Sequence, residues 1–140
     1  MANEHHETVK RNQRDLILDS AVLQLANFGL GTATLPEIAA CMGITRSALY
    51  YYAKSKEDLV YQAYKRSCEV LSVEAKAAVC LEISAPNRLA TFIAKATSRP
   101  FPDIIPLNEL GVLTGEQQAA ILTNYEQIVD MLGMLISTGI

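Results

Sequence analysis

The chain has 140 residues, half of them apolar and 19% charged, with a formal net charge of −3. That is enough apolar chain for one ordinary domain, or a small domain joined to part of a second, and too apolar for a disordered polypeptide. No uninterrupted apolar window of about 18 residues exists and the opening "MANEHHETVKRNQRD" is polar, so no membrane span or secretory signal is expected and the cytoplasm is the default location.

In chain order, "RNQRDLILDSAVLQLANFG" places Ile17, Ala21, Leu25 and Phe28 at helical spacing, with Leu18 and Val22 widening the stripe and Gly29 ending the helix. In "TLPEIAACMG", Thr34 and Glu37 form a T-x-x-E capping box, and Pro36 sits in the first turn, where its missing N–H costs nothing. This short second helix stops at Gly43. Thr45 then caps a third helix from about Arg46 to Ala53, with Ile44 and Leu49 suited to a hydrophobic staple. Ser55 and Asp58 repeat the capping pattern and open a long fourth helix, "KEDLVYQAYKRSCEVLSVEAKAAVCLEI". Near Pro86 the chain breaks and restarts in a fifth helix, Asn87 to Thr97, followed by a turn-rich joint, "SRPFPDIIPLNELG". Thr114 precedes the last helix, whose apolar positions are Ile121, Leu122, Tyr125, Ile128, Val129, Leu132 and Leu135. No strand and no internal repeat is expected.

Cys41, Cys68 and Cys80 show no C-x-x-C spacing, and the only histidines, His5 and His6, sit apart from them on the polar tail. Reduced thiols, with no metal site and no cofactor, are expected. No catalytic constellation is visible, so the chain is not read as an enzyme. Residues 1 to 66 hold 8 Lys and Arg against 7 Asp and Glu, and residues 67 to 140 hold 4 against 8. Any nucleic-acid reading therefore rests on where the basic residues sit rather than on their number.

Two short helices joined at "CMGIT" form a helix-turn-helix unit, whose second helix enters the major groove. Projected at 100° per residue, Leu49 and Ala53 share one arc, with Arg46 and Tyr50 at its flank. Ser47, Ala48, Tyr51 and Tyr52 fall opposite. This division accounts for three consecutive tyrosines in a chain with only six: Tyr50 packs its ring while its hydroxyl reaches outward, and its two neighbours face a partner. Arg46 has the donors for a guanine edge, and Ser47 is short enough to let the helix approach. Lys56 starts a helix, where the macrodipole disfavours a cation, and a phosphate partner would explain it. Lys10, Arg11 and Arg14 suit phosphate or minor-groove contact, and equally a solvated helix start.

Residues 14 to 60, "RDLILDSAVLQLANFGLGTATLPEIAACMGITRSALYYYAKSKEDLV", resemble the DNA-binding domain of TetR-type (tetracycline-repressor-like) transcriptional regulators. The resemblance rests on Ile17, Leu18, Ala21 and Gly29, then Ile38, Ala39 and Gly43, then Leu49, Tyr50, Lys56 and Leu59. Ala53 and Lys54 depart from it, standing where the family usually has an aromatic and a proline. It implies base contacts from Arg46, Ser47, Ala48 and Tyr51, and phosphate contacts from Thr34, Thr45, Tyr50, Tyr52 and Lys56. It further implies an all-α chain, with a helix-turn-helix domain at residues 1–55 joined by the long fourth helix to a partial effector-binding and dimerisation domain at 56–140. An effector pocket is expected around Leu71, Val79, Phe92, Leu113, Tyr125 and Leu132. Because the chain stops at "LISTGI", where the family's seventh helix ends, it is expected to be truncated or a fragment, without the two dimerising helices. The function implied is that of a cytoplasmic, homo-oligomeric repressor on palindromic double-stranded DNA, released by a small apolar effector. The competing reading is an all-helical interaction module that has lost DNA binding.

Overall fold

Every secondary-structure element among the described residues is helical, as the all-α reading expects. The computed structural model describes residues 13–29, 31–99, 103, 105 and 107–137. His5, His6, Lys10 and Arg11 lie outside the described residues. The chain divides into two compact units, Met1–Val60 and Tyr61–Ile140.

In the first unit, helix α1 (Gln13–Phe28) buries Leu18, Ala21, Val22 and Leu25. These positions recur every three or four residues and make one continuous stripe. Phe28, expected on that stripe, is 48% exposed. It is the last helical residue, and the chain turns away at Gly29, whose φ of 89° favours glycine. The Thr32 hydroxyl closes the turn by donating to the Phe28 carbonyl at 2.9 Å. Helix α2 (Leu35–Met42) starts with the expected capping box. The Glu37 amide donates to Thr34 Oγ1 at 3.4 Å, and the Thr34 amide donates back to Glu37 Oε2 at 3.3 Å. It ends at Gly43, in the left-handed region with φ 70°. Helix α3 (Arg46–Tyr52) is capped by Thr45, whose hydroxyl accepts from the Ala48 amide at 3.1 Å. Each of these three helices packs against the other two.

Helix α3 stops because Ala53 takes an extended conformation, with its amide still bonded to the Leu49 carbonyl at 3.0 Å. Ser55 then accepts from the Asp58 amide at 3.0 Å and opens helix α4 (Lys56–Val79). Leu59 and Val60, in the first turns of α4, complete the core of the first unit with Leu18, Leu25, Ile38 and Leu49.

The long helix is shorter than its apolar pattern suggests. Leu81 to Ile83 are not helical, because Ser84 adopts the extended N-cap geometry of helix α5 (Ala85–Ser98), with Pro86 in that helix's first turn. A 3₁₀ segment follows at Leu107–Val112 and then helix α6 (Gly115–Ser137). Thr114 and Gln117 cap α6 reciprocally, amide to side-chain oxygen, at 3.1 and 3.2 Å. In the second unit Ala75 and Ala78 of α4, Phe92 of α5 and Leu135 of α6 form a core, with Leu71, Leu89, Ala96, Met131 and Leu132 packed around it. Leu122 and Val129, on the apolar pattern of α6, are exposed, while Ile121 and Ile128 are buried. Adjacent residues on a helix point about 100° apart, so one of each pair faces inward.

Polar chemistry holds the segment after α5 to the middle of α4. The buried Ser67 hydroxyl donates to the Asp103 carbonyl at 3.0 Å and accepts from the Ile105 amide at 3.1 Å. Arg66 donates to the Asp103 carboxylate at 2.7 Å, and Arg99 approaches the same carboxylate at 3.9 Å. Arg99 also pairs with Glu74, which Lys95 approaches at 4.0 Å.

Cys68 is buried, whereas Cys41 and Cys80 are exposed. Burial, with the Glu69 carboxylate adding to it, pushes the Cys68 thiol up to about 11. Burial likewise pushes the Tyr125 phenol up to about 12, with Cys68 and Tyr64 contributing. Both groups stay neutral in the folded chain at pH values where the unfolded chain ionises. Stability from these sites is thus complete below about pH 9 and is lost as pH rises toward 12. A thiol-reactive chromophore at pH 8 is expected to count two fast thiols in the native protein and a third only after denaturant is added. Three fast thiols would show that Cys68 is accessible.

Candidate nucleic-acid interface

The first unit carries one helix whose two faces differ sharply. Leu49 and Ala53 are completely buried, anchoring α3 to α1 and α2, while Tyr51 two positions away from each is 83% exposed. Arg46 and Ser47 are exposed and Ala48 is half-buried. Ala53, which departs from the aromatic usual in the resemblance, is completely buried.

The other residues expected to contact phosphate include three at helix starts, Thr34, Thr45 and Lys56. Thr34 and Thr45 are both exposed, at the N-termini of α2 and α3. Each hydroxyl oxygen is used as a cap acceptor, which leaves its O–H free to donate outward. Lys56 is the first residue of α4, half-buried, with Glu57 and Asp58 behind it in the same turn. Those carboxylates offset the unfavourable placement of a cation at a helix start.

The tyrosine run is more ordered than its sequence suggests. Arg46 lies over the ring of Tyr50, 5.2 Å from its centroid. Tyr51 and Tyr52 meet edge to face, with centroids 5.0 Å apart and planes at 89°. Tyr50 and Tyr52 are half-buried. The projection put Tyr52 on the outer arc without this contact. The Arg46–Tyr50 pair was detectable in advance, since residues four apart on a helix are neighbours.

In the second unit the structure brings three of the six expected effector residues together. Phe92, Leu71 and Leu132 belong to the core. Leu113 is buried, Tyr125 is half-buried and Val79 is exposed. A groove of about 500 Å³ runs between α4 and α6, with Cys68, Ser72, Val73, Asn124, Ile128 and Met131 among its walls and Lys65 and Lys76 flanking it. None of the six expected residues lines this groove. No group of three or more His, Cys, Asp or Glu side chains among the described residues is arranged to hold a metal ion. No helix among them is long and apolar enough to cross a membrane.

The capped helix pair, the tight turn at Gly43 and the exposed polar face of α3 define a helix-turn-helix protein. Residues 17–63 match the family described as bacterial regulatory proteins, tetR family. The fold extends the likeness. A TetR-family transcriptional regulator from Bordetella parapertussis superposes with a TM-score of 0.75 at 20% identity, covering 90% of this chain and 68% of that one. The TetR-family transcriptional regulator PfmR from Thermus thermophilus superposes with a TM-score of 0.79 at 21% identity, covering 92% and 71%. The described architecture is thus that of TetR-family regulators.

Proposed function

We propose that this protein is a cytoplasmic transcriptional repressor that binds palindromic operator DNA as a homodimer and is released by a small apolar effector. The reading divides the chain into a DNA-binding part, residues 1–55, and an effector-binding and dimerisation part, residues 56–140. No catalysis is assigned. The observation that carries the reading is the two-faced α3. Its apolar side is fully buried at Leu49 and Ala53, and its outer side exposes Arg46, Ser47 and Tyr51.

In this reading Arg46, Ser47, Ala48 and Tyr51 meet base edges, and Thr34, Thr45, Tyr50, Tyr52 and Lys56 meet phosphates. Base contacts specify sequence and phosphate contacts set position, so the two groups separate on measurement. Binding is followed by anisotropy on a palindromic duplex drawn from a random-sequence pool, and on unrelated DNA, at two salt concentrations. Arg46→Ala is expected to cost about 1–3 kcal/mol and to relax preference at one base pair. Lys56→Ala should weaken all sequences alike and reduce the salt slope by about 1 per half-site. Equal losses on both DNAs for both variants would remove the assignment. Absence of salt-dependent DNA binding by the wild type would favour an interaction module instead. Effector and DNA binding oppose one another reciprocally in such a protein. Leu71, Val79, Phe92, Leu113, Tyr125 and Leu132 remain the positions proposed for the effector.

A further inference from the structure

We infer that Tyr50 and Tyr52 are positioning residues, which hold Arg46 and Tyr51 in their reading orientations before DNA arrives. The inference rests on the DNA-binding reading above and adds a division of labour within the tyrosine run.

Arg46 is an exposed residue with many rotamers, and an unrestrained arginine loses that freedom when it docks on a base. Here the guanidinium carbon sits 5.2 Å from the centroid of the Tyr50 ring, within the range of a cation–π contact. Four residues separate the two, so one helical face brings them together. The nature of the partner matters. A carboxylate would occupy the N–H fork and cancel the charge, leaving less to offer guanine and phosphate. An aromatic face holds the guanidinium through its π surface, and the N–H donors around its edge stay free for a bidentate contact. Among the described residues Arg46 forms no ion pair that would compete.

The second pair works in the same way. Tyr51 is 83% exposed and would sample several rotamers if its ring touched nothing. Tyr52 is half-buried, and its ring meets that of Tyr51 edge to face with centroids 5.0 Å apart. Aromatic pairs favour this geometry at this distance. Each reading side chain thus has a tyrosine ring beside it that is less exposed than itself.

The test separates ring from hydroxyl and free protein from complex. In DNA-free protein, the Arg46 Nε–Hε order parameter from NMR relaxation is expected above the ~0.6 that marks a flexible group. Tyr50→Phe should preserve it and Tyr50→Leu should lower it. A value under ~0.6 in the wild type, or one unchanged by Tyr50→Leu, would overturn the inference without reference to DNA. In selection from a random duplex pool, Tyr50→Leu should lower preference at the base pair that Arg46→Ala erases by about 2- to 5-fold per recognition helix, the size of an exposed cation–π contact. Tyr50→Phe should retain the preference even while losing overall affinity with the phosphate-directed hydroxyl. Tyr52→Leu and Tyr52→Phe should behave likewise at the position that Tyr51→Ala affects. If leucine and phenylalanine variants select identical motifs with undiminished strength, the tyrosines serve phosphate contact or packing only and the positioning role is overturned. If Arg46 is ordered but the wild type enriches no motif, the DNA-binding reading fails, and with it the positioning role.

Discussion

Leu49→Ala is expected to destabilise the first unit by about 2–5 kcal/mol, while Tyr51→Ala leaves its melting temperature almost unchanged. The two residues share a seven-residue helix, yet Leu49 is fully buried and Tyr51 is 83% exposed. Leu49 is the only residue of α3 that is buried, so α1 and α2 hold the helix chiefly through this one side chain and Ala53 just beyond it. Truncation removes apolar contact and leaves a cavity in a small core, where little else can collapse into the space. In a domain of this size each kcal/mol lowers the melting temperature by about 4–8 °C, so a shift of about 8 °C or more is expected by circular dichroism. DNA binding should be lost as α3 loses its seat. Tyr51→Ala should remain folded and lose sequence-specific binding alone. The reverse pattern, with Tyr51→Ala unfolding and Leu49→Ala tolerated, would mean that α3 is rotated by half a turn from the orientation described.

Asp103→Ala is expected to be the most damaging polar substitution in the second unit, at about 3 kcal/mol, the low end for a buried ion pair that loses one partner. The Asp103 side chain is 6% exposed and receives the Arg66 guanidinium at 2.7 Å. Arg66 retains 21% of its side-chain surface, so water repays part of the loss and the upper end of the range is not reached. Asp103→Asn keeps an acceptor for Arg66 and should cost markedly less. Ser67→Ala provides an independent check on the same contact, because it leaves the buried Ile105 amide without its 3.1 Å acceptor at a cost of about 1–3 kcal/mol. Denaturant titration of the three variants is expected to rank them with Asp103→Ala first and Asp103→Asn last. A stable Asp103→Ala variant would show that apolar packing alone secures this segment to α4.

Capping chemistry made the first unit readable from sequence. Thr34 with Glu37, Thr45, and Ser55 with Asp58 each name a helix start through a side chain that reaches only a few residues, and Gly29 and Gly43 name two ends. Such signals are local, so they need no knowledge of tertiary contacts. Helical projection also separated Leu49 from Tyr51. Projection did not reveal that Phe28 is exposed, because the last residue of a helix follows the stripe of its own helix while its burial depends on where the chain goes next. The same limit explains the overrun of α4 into Leu81 to Ile83, where apolar residues continue the pattern but Ser84 and Pro86 require the next helix to begin. The clasp of Ser67, Arg66 and Asp103 joins residues 36 and 37 positions apart, and no local rule points to it. In α3 the placement of Ser47 and Tyr51 on an exposed face was legible, whereas Arg46, expected at the flank of the buried arc, is exposed, and the edge-to-face pairing of Tyr51 with Tyr52 depends on rotamers that spacing does not specify.

The distribution of the three thiols makes the natural sequence its own measuring device. Cys41 is exposed in the first unit, Cys80 is exposed in the second, and Cys68 is buried. A donor and an acceptor fluorophore can therefore be attached to the unaltered chain, one on each unit, with no engineered cysteine and no competing third attachment point. Energy transfer between them would track the separation of the two units while duplex DNA or a candidate small molecule is titrated in, and would report any coupling between the units in real time from a single molecule of protein.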